Sequence, residues 1–485
     1  MGGLRVLGIG LLAAGSIVLL PSAAGGARAG RVVARTSSAD PGCTGNYGGA
    51  APAPAAQPLR FGVDPGIAGS AGGAQLPTVP DDLTRDVSFS GQLRPAGQVL
   101  VVRLNRLFWS GGDPLISQFK GLVSEYAKAG LQVELQVRYH PPSGQDGNLQ
   151  AWQAYVRHVV DVFGPDPHVV AMTITNEVNV NFSPNTSDGS YTAANDALIQ
   201  GIEAAHNEAL TRGYRQLRFG FTYAYRFSPA GDSAFFSYLG SHGGSALRQA
   251  LGFVGVDFYP GSVYPPTMGP TDTYRSETAQ ALGTVRSCLM PMAGLDATVP
   301  IWITENGIPT GASTTEAQQA SGLTELVHAT RDYSGTFNVT DYRWFNLRDS
   351  NSSDAAGSLP GAATTFTTDG LLRDDYTPKP AFAAYRDLIR AFGQPIGPPP
   401  PSRVCRPGQL RVTLRRERRP IRRADVYLRG KRIGHAVGPR LRTIGLRHAP
   451  ARTFTVRIVL RLAGGRRTVY RRRYALSHCR LVVRR

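Results

Sequence analysis

Cysteine is scarce in this sequence, and the cysteines that occur lack the spacing of a metal or redox site. Only four stand among 485 residues, and none belongs to a Cys-x-x-Cys or Cys/His zinc pattern. The nucleotide-binding P-loop, the His-Glu-x-x-His helix of metalloproteases and the Gly-x-Ser-x-Gly turn of esterases are also missing. We therefore expect neither a metal nor another cofactor.

Long hydrophobic runs are absent after the first thirty residues. Residues 1–5 carry one positive charge, residues 6–20 are almost wholly apolar, and residues 27–29 read Ala-Arg-Ala. This pattern predicts a signal peptide over residues 1–29, with an uncleaved anchor as the alternative. We expect an exported protein that is extracellular or associated with the cell envelope.

An even number of cysteines in an exported protein predicts disulfides. Cys405 and Cys479 bracket the C-terminal region, so we predict that they pair. A bond between Cys43 and Cys288 then follows only by elimination, and free thiols are the alternative for these two.

Shifts in composition divide the chain into segments. Residues 30–58, rich in Gly, Ala and Pro, predict a flexible lead-in, and residues 395–403, with four consecutive prolines, predict a semi-rigid linker. We expect one domain over residues 59–394 and a second over residues 404–485.

Eight short apolar runs alternate with amphipathic stretches in the first domain. The runs are rich in Val, Ile and Phe, as in strands that are buried on both faces. Eight such units predict an α/β fold, a (β/α)8 TIM barrel, with an open doubly wound sheet as the alternative. The runs are Leu59–Asp64, Val99–Asn105, Leu131–Arg138, Val169–Asn176, Leu217–Tyr223, Leu251–Phe258, Ile301–Glu305 and Thr340–Asn346.

Acidic residues are almost missing from the second domain. Residues 403–485 hold 26 Lys and Arg against two acids, a net charge of +24, whereas residues 1–402 carry −5 of the chain's +19. Alternation of apolar and Arg residues around a Gly-Gly turn predicts a small antiparallel β-sandwich. Such a charge attracts polyanions, so we expect an anionic envelope polymer as partner and, because of export, no nucleic acid. The alternative is a spacer whose Arg side chains only cover apolar surface.

Two glutamates stand at the ends of predicted strands. The fourth run ends in Asn176 and Glu177, and the seventh ends in Glu305 before an Asn-Gly turn. Barrel enzymes place catalysis at the carboxyl ends of the strands, where strands four and seven face each other. Two carboxyl groups that flank one bond suit glycosidic cleavage, in which one donates a proton and the other attacks or activates water.

These segments resemble the acid/base and nucleophile strands of the clan A glycoside hydrolases, retaining TIM barrels that include families 1, 5 and 39. The resemblance spans residues 59–392 and implies Glu177 as acid/base and Glu305 as nucleophile. It also implies supporting or substrate-binding roles for residues at strands two, three, four, six and eight, with structural roles as the alternative. These are Arg103, His140, Asn176, Tyr259 and Trp344.

The two lines of reasoning together predict a secreted, monomeric glycoside hydrolase. We expect it to cleave a β-linked polysaccharide or glycoside with retention of configuration. A catalytically silent barrel that binds polysaccharide is the alternative from another class. A transglycosylase with the same residues is a third interpretation.

Overall fold

The computed structural model describes most of the chain after residue 41. The described residues are 42–52, 57–65, 78–181, 184, 186–225, 229–265, 267–358, 365–396, 411–446, 454–477 and 480–484. The predicted signal peptide, most of the predicted linker and the predicted Cys405–Cys479 bond lie outside them. Among the helices that the structure describes, none combines the length and hydropathy of a membrane span.

Eight parallel strands close into a barrel in the order of the sequence, which confirms the predicted fold class. Their residues are almost all buried, because helices or barrel interior cover both faces of each strand. Each strand overlaps one of the eight predicted runs. The strands are β1 (Arg60–Val63), β2 (Val101–Phe108), β3 (Gln132–Arg138), β4 (Val169–Ile174), β5 (Arg218–Ala224), β6 (Phe253–Asp257), β7 (Ile301–Glu305) and β8 (Val339–Trp344).

Helices alternate with these strands, and several begin at residues whose side chains cap them. Asp82 accepts hydrogen bonds from the first-turn amides of the helix that begins at Leu83. Thr273 and Thr315 form capping boxes at the helices that begin directly after them. The helices are α1 (Leu83–Leu93), α2 (Gly112–Lys128), α3 (Leu149–Phe163), α4 (Ala194–Arg212), α5 (Pro229–His242), α6 (Gly244–Ala250), α7 (Tyr274–Thr284), α8 (Met290–Met292), α9 (Glu316–Phe337) and α10 (Pro380–Phe392).

The centre of the barrel is ionic rather than apolar. Glu134 on β3 lies 3.1 Å from Arg343 on β8 and 3.5 Å from Arg103 on β2, and all three side chains are fully buried. Gly62 on β1 makes room for this group, since a Cβ there would lie 2.4 Å from Cδ of Arg343. Buried charges of this kind persist only when they are paired. The pairing therefore fixes the position of Arg103 below the carboxyl ends of the strands.

The described part of the lead-in is anchored to the barrel. Cys43 forms a disulfide with Cys288, the pairing that elimination suggested. The amide of Tyr47 also donates to Oε1 of Gln280 on α7 at 2.6 Å. These contacts join residues 43 and 47 to the barrel domain.

The C-terminal region folds into two antiparallel sheets, as its alternating pattern predicted. One sheet has five strands in the order β11-β10-β13-β14-β15, and the other pairs β12 with β9. A separate core that includes Val426, Ile444 and Ile458 fills this domain. The strands are β9 (Arg411–Thr413), β10 (Ile421–Leu428), β11 (Lys431–Val437), β12 (Thr443–Gly445), β13 (Phe454–Leu462), β14 (Arg467–Ser477) and β15 (Arg480–Arg484).

Candidate active site

The backbone leaves β4 in an uncommon conformation. Thr175 has φ of 67° and Glu177 has φ of 43°, both in the left-handed region that non-glycine residues rarely adopt. Hydrogen bonds hold this turn: the amide of Asn176 donates to Oδ2 of Asp188 at 2.9 Å, and the amide of Glu177 donates to Oγ1 of Thr222 at 3.3 Å. Strain of this kind persists where surrounding contacts fix it, commonly at functional sites. The turn places the Glu177 side chain at the carboxyl end of the barrel.

Glu305 ends β7, and each of its oxygens accepts a hydrogen bond from a buried donor. Arg103 Nη1 lies 2.7 Å from Oε1, and the Tyr259 hydroxyl lies 2.8 Å from Oε2. Burial, and then the charges of Glu305 and Asp257, raise the pKa of Tyr259, so the hydroxyl keeps the proton that it donates. The two contacts stabilise a negative charge on Glu305.

The carboxyl groups of the two glutamates lie close together. Glu177, Glu305 and Asp257 each direct a carboxylate oxygen to positions within 4.8 Å of one another, and all three side chains are buried. Oxygens this close suit a pair in which one carboxylate attacks while the other transfers a proton.

The electrostatic surroundings of the two glutamates differ. Burial raises the pKa of Glu177 well above its ordinary value, and the negative charges of Asp257 and Glu305 raise it further, while Arg138 and Arg103 oppose the shift. A carboxyl group with a raised pKa keeps its proton near neutral pH and can donate it. Glu305, by contrast, receives a cationic donor directly. The site therefore favours a protonated Glu177 beside a glutamate that accepts a hydrogen bond from an arginine.

Comparison with known proteins finds similarity only among solved structures. No protein-family model matches the chain, and no curated protein matches it. The chain is similar to a GH5_18 protein from Streptomyces cattleya in complex with GlcNAc, with 14% identity, a TM-score of 0.46, and coverage of 70% of this chain and 81% of that one. It is also similar to a beta-glucosidase called 1317, with 14% identity, a TM-score of 0.46, and coverage of 70% of this chain and 99% of that one. A third similar structure is the exo-beta-1,4-mannosidase Op5Man5 from Opitutaceae bacterium strain TAV5. It has 13% identity, a TM-score of 0.47, and coverage of 71% of this chain and 61% of that one.

Asn176 lies beside Glu177 with its side-chain amide held on several sides. Its Oδ1 accepts hydrogen bonds from Gln136 and, at 3.0 Å, from the Thr222 hydroxyl. Its Nδ2 donates to the carbonyl of Thr186 at 2.8 Å. An amide nitrogen has two hydrogens, and among the described residues the second hydrogen of this nitrogen has no acceptor. The predicted contact with a sugar hydroxyl is compatible with this orientation.

His140 occupies the rim above β2 and β3. Within the described part of the chain, its ring contacts the Ser110 hydroxyl at 2.9 Å and the rings of Phe108 and Tyr191, at centroid distances of 4.7 and 5.5 Å. Burial, followed by the charge of Arg138, lowers the pKa of His140, so the ring is neutral near pH 7. Within the described residues, no hydrogen bond or ring contact joins His140 to Glu177 or Glu305, and its substrate-binding role stays a prediction.

Trp344 is where the structure departs from the sequence prediction. Its side chain is 0% exposed, and its Nε1 donates to the carbonyl of Asp369 at 3.0 Å. A ring with no accessible face cannot stack on a sugar, so the predicted subsite floor is corrected to a core position. Phe366, which is half-buried and 5.0 Å from the ring of Tyr259, is an aromatic side chain with accessible surface next to the tyrosine that contacts Glu305.

Two further residues shape the site and were not singled out from the sequence. Asp257 ends β6 and brings the third carboxylate to the pair; it accepts a hydrogen bond from the Thr304 hydroxyl at 2.7 Å. A carboxylate at the end of an apolar strand is the same signal that identified the glutamates. Asp188 lies in a loop and accepts from Arg138 and from the amides of Tyr139 and Asn176. No strand-end signal marks such a loop residue.

Proposed function

We propose that this chain is a glycoside hydrolase that cleaves a β-linked O-glycosidic bond with retention of configuration. The observation that carries the proposal is the buried approach of Glu177 and Glu305, whose carboxylate oxygens lie within 4.8 Å of each other at the carboxyl ends of the barrel strands. Retaining glycosidases hold their two carboxyl groups about 5–5.5 Å apart.

In the first step, Glu177 donates its proton to the glycosidic oxygen while an oxygen of Glu305 attacks the anomeric carbon. The bond between that carbon and the leaving oxygen breaks, and an ester bond to Glu305 forms. Arg103 and Tyr259 orient Glu305 for this attack. Loss of the Glu177 proton leaves a carboxylate beside the glycosyl ester.

In the second step, Glu177 accepts a proton from water, and the water oxygen attacks the anomeric carbon. The ester bond breaks, Glu305 regains its charge, and Glu177 regains its proton. Two inversions at the same carbon return the original configuration. Asn176 would donate to a sugar hydroxyl next to the reacting carbon, a contact that tightens in the transition state.

The cellular setting is part of the same proposal. Residues 1–29 would direct export, and a monomer would act on extracellular or envelope-associated polysaccharide or glycoside. The disulfide between Cys43 and Cys288 supports this setting, because disulfides persist in oxidising compartments.

The test is hydrolysis of a panel of aryl β-glycosides by the wild type, Glu177→Gln and Glu305→Ala. We expect both variants to lose about 10⁴-fold or more in kcat, whereas Glu125→Gln, at an exposed position on α2, stays active. Proton NMR should show that the first product anomer keeps the β configuration. Azide should restore turnover to Glu305→Ala and give an α-glycosyl azide, because the anion replaces the missing nucleophile on the same face.

Two outcomes would overturn the proposal. One is an α product from the wild type, which would mean direct attack by water. The other is undiminished activity in Glu305→Ala. Loss of wild-type activity on chelation, with recovery on adding a divalent cation, would instead assign the three carboxylates to a metal.

A further inference from the structure

One face of the five-stranded C-terminal sheet is built from arginine. Five exposed side chains, which we call the arginine face, alternate along β13 and β14 with residues that point into the core. The core residues between them on β13 include Ile458 and Leu460, both fully buried. The arginine face consists of Arg457, Arg461, Arg467, Arg471 and Arg473.

The strand register sets these arginines directly opposite one another. Arg457 pairs with Arg471 and Arg461 with Arg467 across the antiparallel ladder of β13 and β14. Like charges in facing positions of a sheet destabilise it. Threonine or a mixture of lysine and glutamate would cover the core without this cost. The arrangement therefore suits a ligand that supplies the opposite charge.

Within the described part of the domain, no acidic side chain neutralises this face. Among the described residues, none of the five arginines forms an ion pair or a side-chain hydrogen bond; the guanidinium of Arg457 only lies over the ring of Tyr427, 4.8 Å from its centroid. The nearby acid, Asp425, is already engaged by Arg423 at 2.9 Å and His435 at 2.8 Å. The positive charge of the arginine face is left for a partner.

The spacing of the charges fits a linear polymer. Residues 457 and 461 are four positions apart, about 13 Å along the strand, and neighbouring strands are about 4.8 Å apart. The facing pairs thus form two short rows across the strands, separated by Val459 and Val469. Within a row, the distance between the two strand positions is close to the length of one sugar unit along an extended polysaccharide.

We propose that the arginine face binds a linear anionic polysaccharide through its carboxylate or phosphate groups. Arginine is the side chain that binds both groups in a bidentate fashion, and 25 of the 26 cationic residues between 403 and 485 are arginine. Residues 403–485 contain no Trp to anchor the domain in a lipid surface. The choice of a glycan over nucleic acid rests on the proposed glycosidase function.

The experiment compares two full-length variants that lose the same charge. The face variant replaces Arg457, Arg461, Arg467 and Arg471 with Gln, and the control replaces the exposed Arg415, Arg416, Arg418 and Arg419, between β9 and β10. Binding is measured by sedimentation or affinity electrophoresis with polygalacturonate, a teichoic acid, neutral mannan, double-stranded DNA and phosphatidylglycerol vesicles. The first two probes separate carboxylate from phosphate as the recognised group.

We expect the wild type to bind an anionic glycan polymer and not mannan, with affinity that falls steeply as salt rises. Because four exposed ion pairs are removed, the face variant should bind about tenfold more weakly, and the control variant within about twofold of the wild type. Equal losses in both variants would overturn the proposal, since overall charge alone would then explain binding. Stronger binding to DNA or vesicles than to either glycan, or no binding to any probe, would also overturn it.

This result is separable from the proposed catalysis. Glu305→Ala should bind the polymer as the wild type does, and the face variant should hydrolyse small aryl glycosides at the wild-type rate. If no glycoside is hydrolysed but polymer binding depends on the arginine face, the glycosidase proposal fails and the binding surface stands.

Discussion

A carboxylate oxygen of Asp257 lies within 4.8 Å of one on Glu177, and both side chains are buried. The Oδ2 atom of Asp257 has no hydrogen-bond partner within the described part of the chain, while Oδ1 accepts from Thr304. The negative charge of Asp257 helps to raise the pKa of Glu177, after burial, which is the largest cause. Asp257 is therefore a positioning residue that acts through its charge on Glu177, the proposed proton donor.

Replacing Asp257 with Asn should move the basic limb of the pH profile. Glu177 must be protonated in the first step, so kcat/KM falls as pH rises through its pKa. Burial, followed by the charge of Glu305, also raises the pKa of Asp257, so Asp257 and Glu177 titrate as a pair. Removing one member lowers the upper apparent pKa of the pair, and we expect the basic limb of Asp257→Asn to shift to lower pH. Glu125→Gln should leave the profile unchanged. A basic limb that stays in place or moves upward would show that Asp257 does not act on Glu177 in this way.

The hydroxyl of Tyr259 should be needed for catalysis more than for folding. Tyr259→Phe removes the 2.8 Å hydrogen bond to Glu305 but keeps a ring packed beside Phe345 and Phe366. By comparison with the loss of one preorganised donor, we expect kcat to fall about 100-fold. Tyr155→Phe, which removes a hydroxyl bonded to the carbonyl of Phe108, is the matched control. Similar kinetics for the two variants would argue against a role for this hydrogen bond.

Asp86 on α1 should make stability depend on pH. Burial, with the charge of Asp81, raises the pKa of Asp86 from 3.8 to about 7. Between these values the folded state holds a proton that the unfolded chain has lost, so this residue's contribution lowers stability as pH rises. Asp86→Asn can keep the contact with the Tyr376 hydroxyl without titrating. Its gain in Tm over the wild type should be larger at about pH 8 than at about pH 4, and a pH-independent difference would contradict this.

Gly62 should be intolerant of even one methyl group. The Cβ of Gly62→Ala would meet Cδ of Arg343 at 2.4 Å and the carbonyl of Val101 at 2.6 Å. We expect a loss of about 1–3 kcal/mol in unfolding free energy, measured by urea denaturation. Gly121→Ala is the control, because its Cβ would enter open space on α2, where alanine stabilises a helix by about 0.5–1 kcal/mol. If Gly62→Ala instead raised the unfolding free energy, as Gly121→Ala is expected to do, the barrel centre would be able to relax around the added methyl group.

The parts of the site that were predictable carry signals within short stretches of chain. An apolar run that ends in a carboxylate is such a signal, and it identified Glu177 and Glu305. The same signal ends β6 at Asp257, where the sequence prediction named only the neighbouring Tyr259. Asp188 and Trp344 carry no such signal: the first is a loop residue, and whether an aromatic ring faces the cavity or the core depends on neighbours distant in sequence.

Local sequence patterns are enough to locate the eight barrel strands, the antiparallel tail and the concentration of positive charge in residues 403–485. These features follow from hydrophobic periodicity and composition, which act over short stretches of chain. Three other features depend on the folded structure: Asp257 joins the two glutamates, Trp344 is buried, and arginines face arginines across β13 and β14. Distances and register of this kind arise from the packing of remote segments, because closure of the barrel and pairing of strands bring together side chains that no local pattern relates.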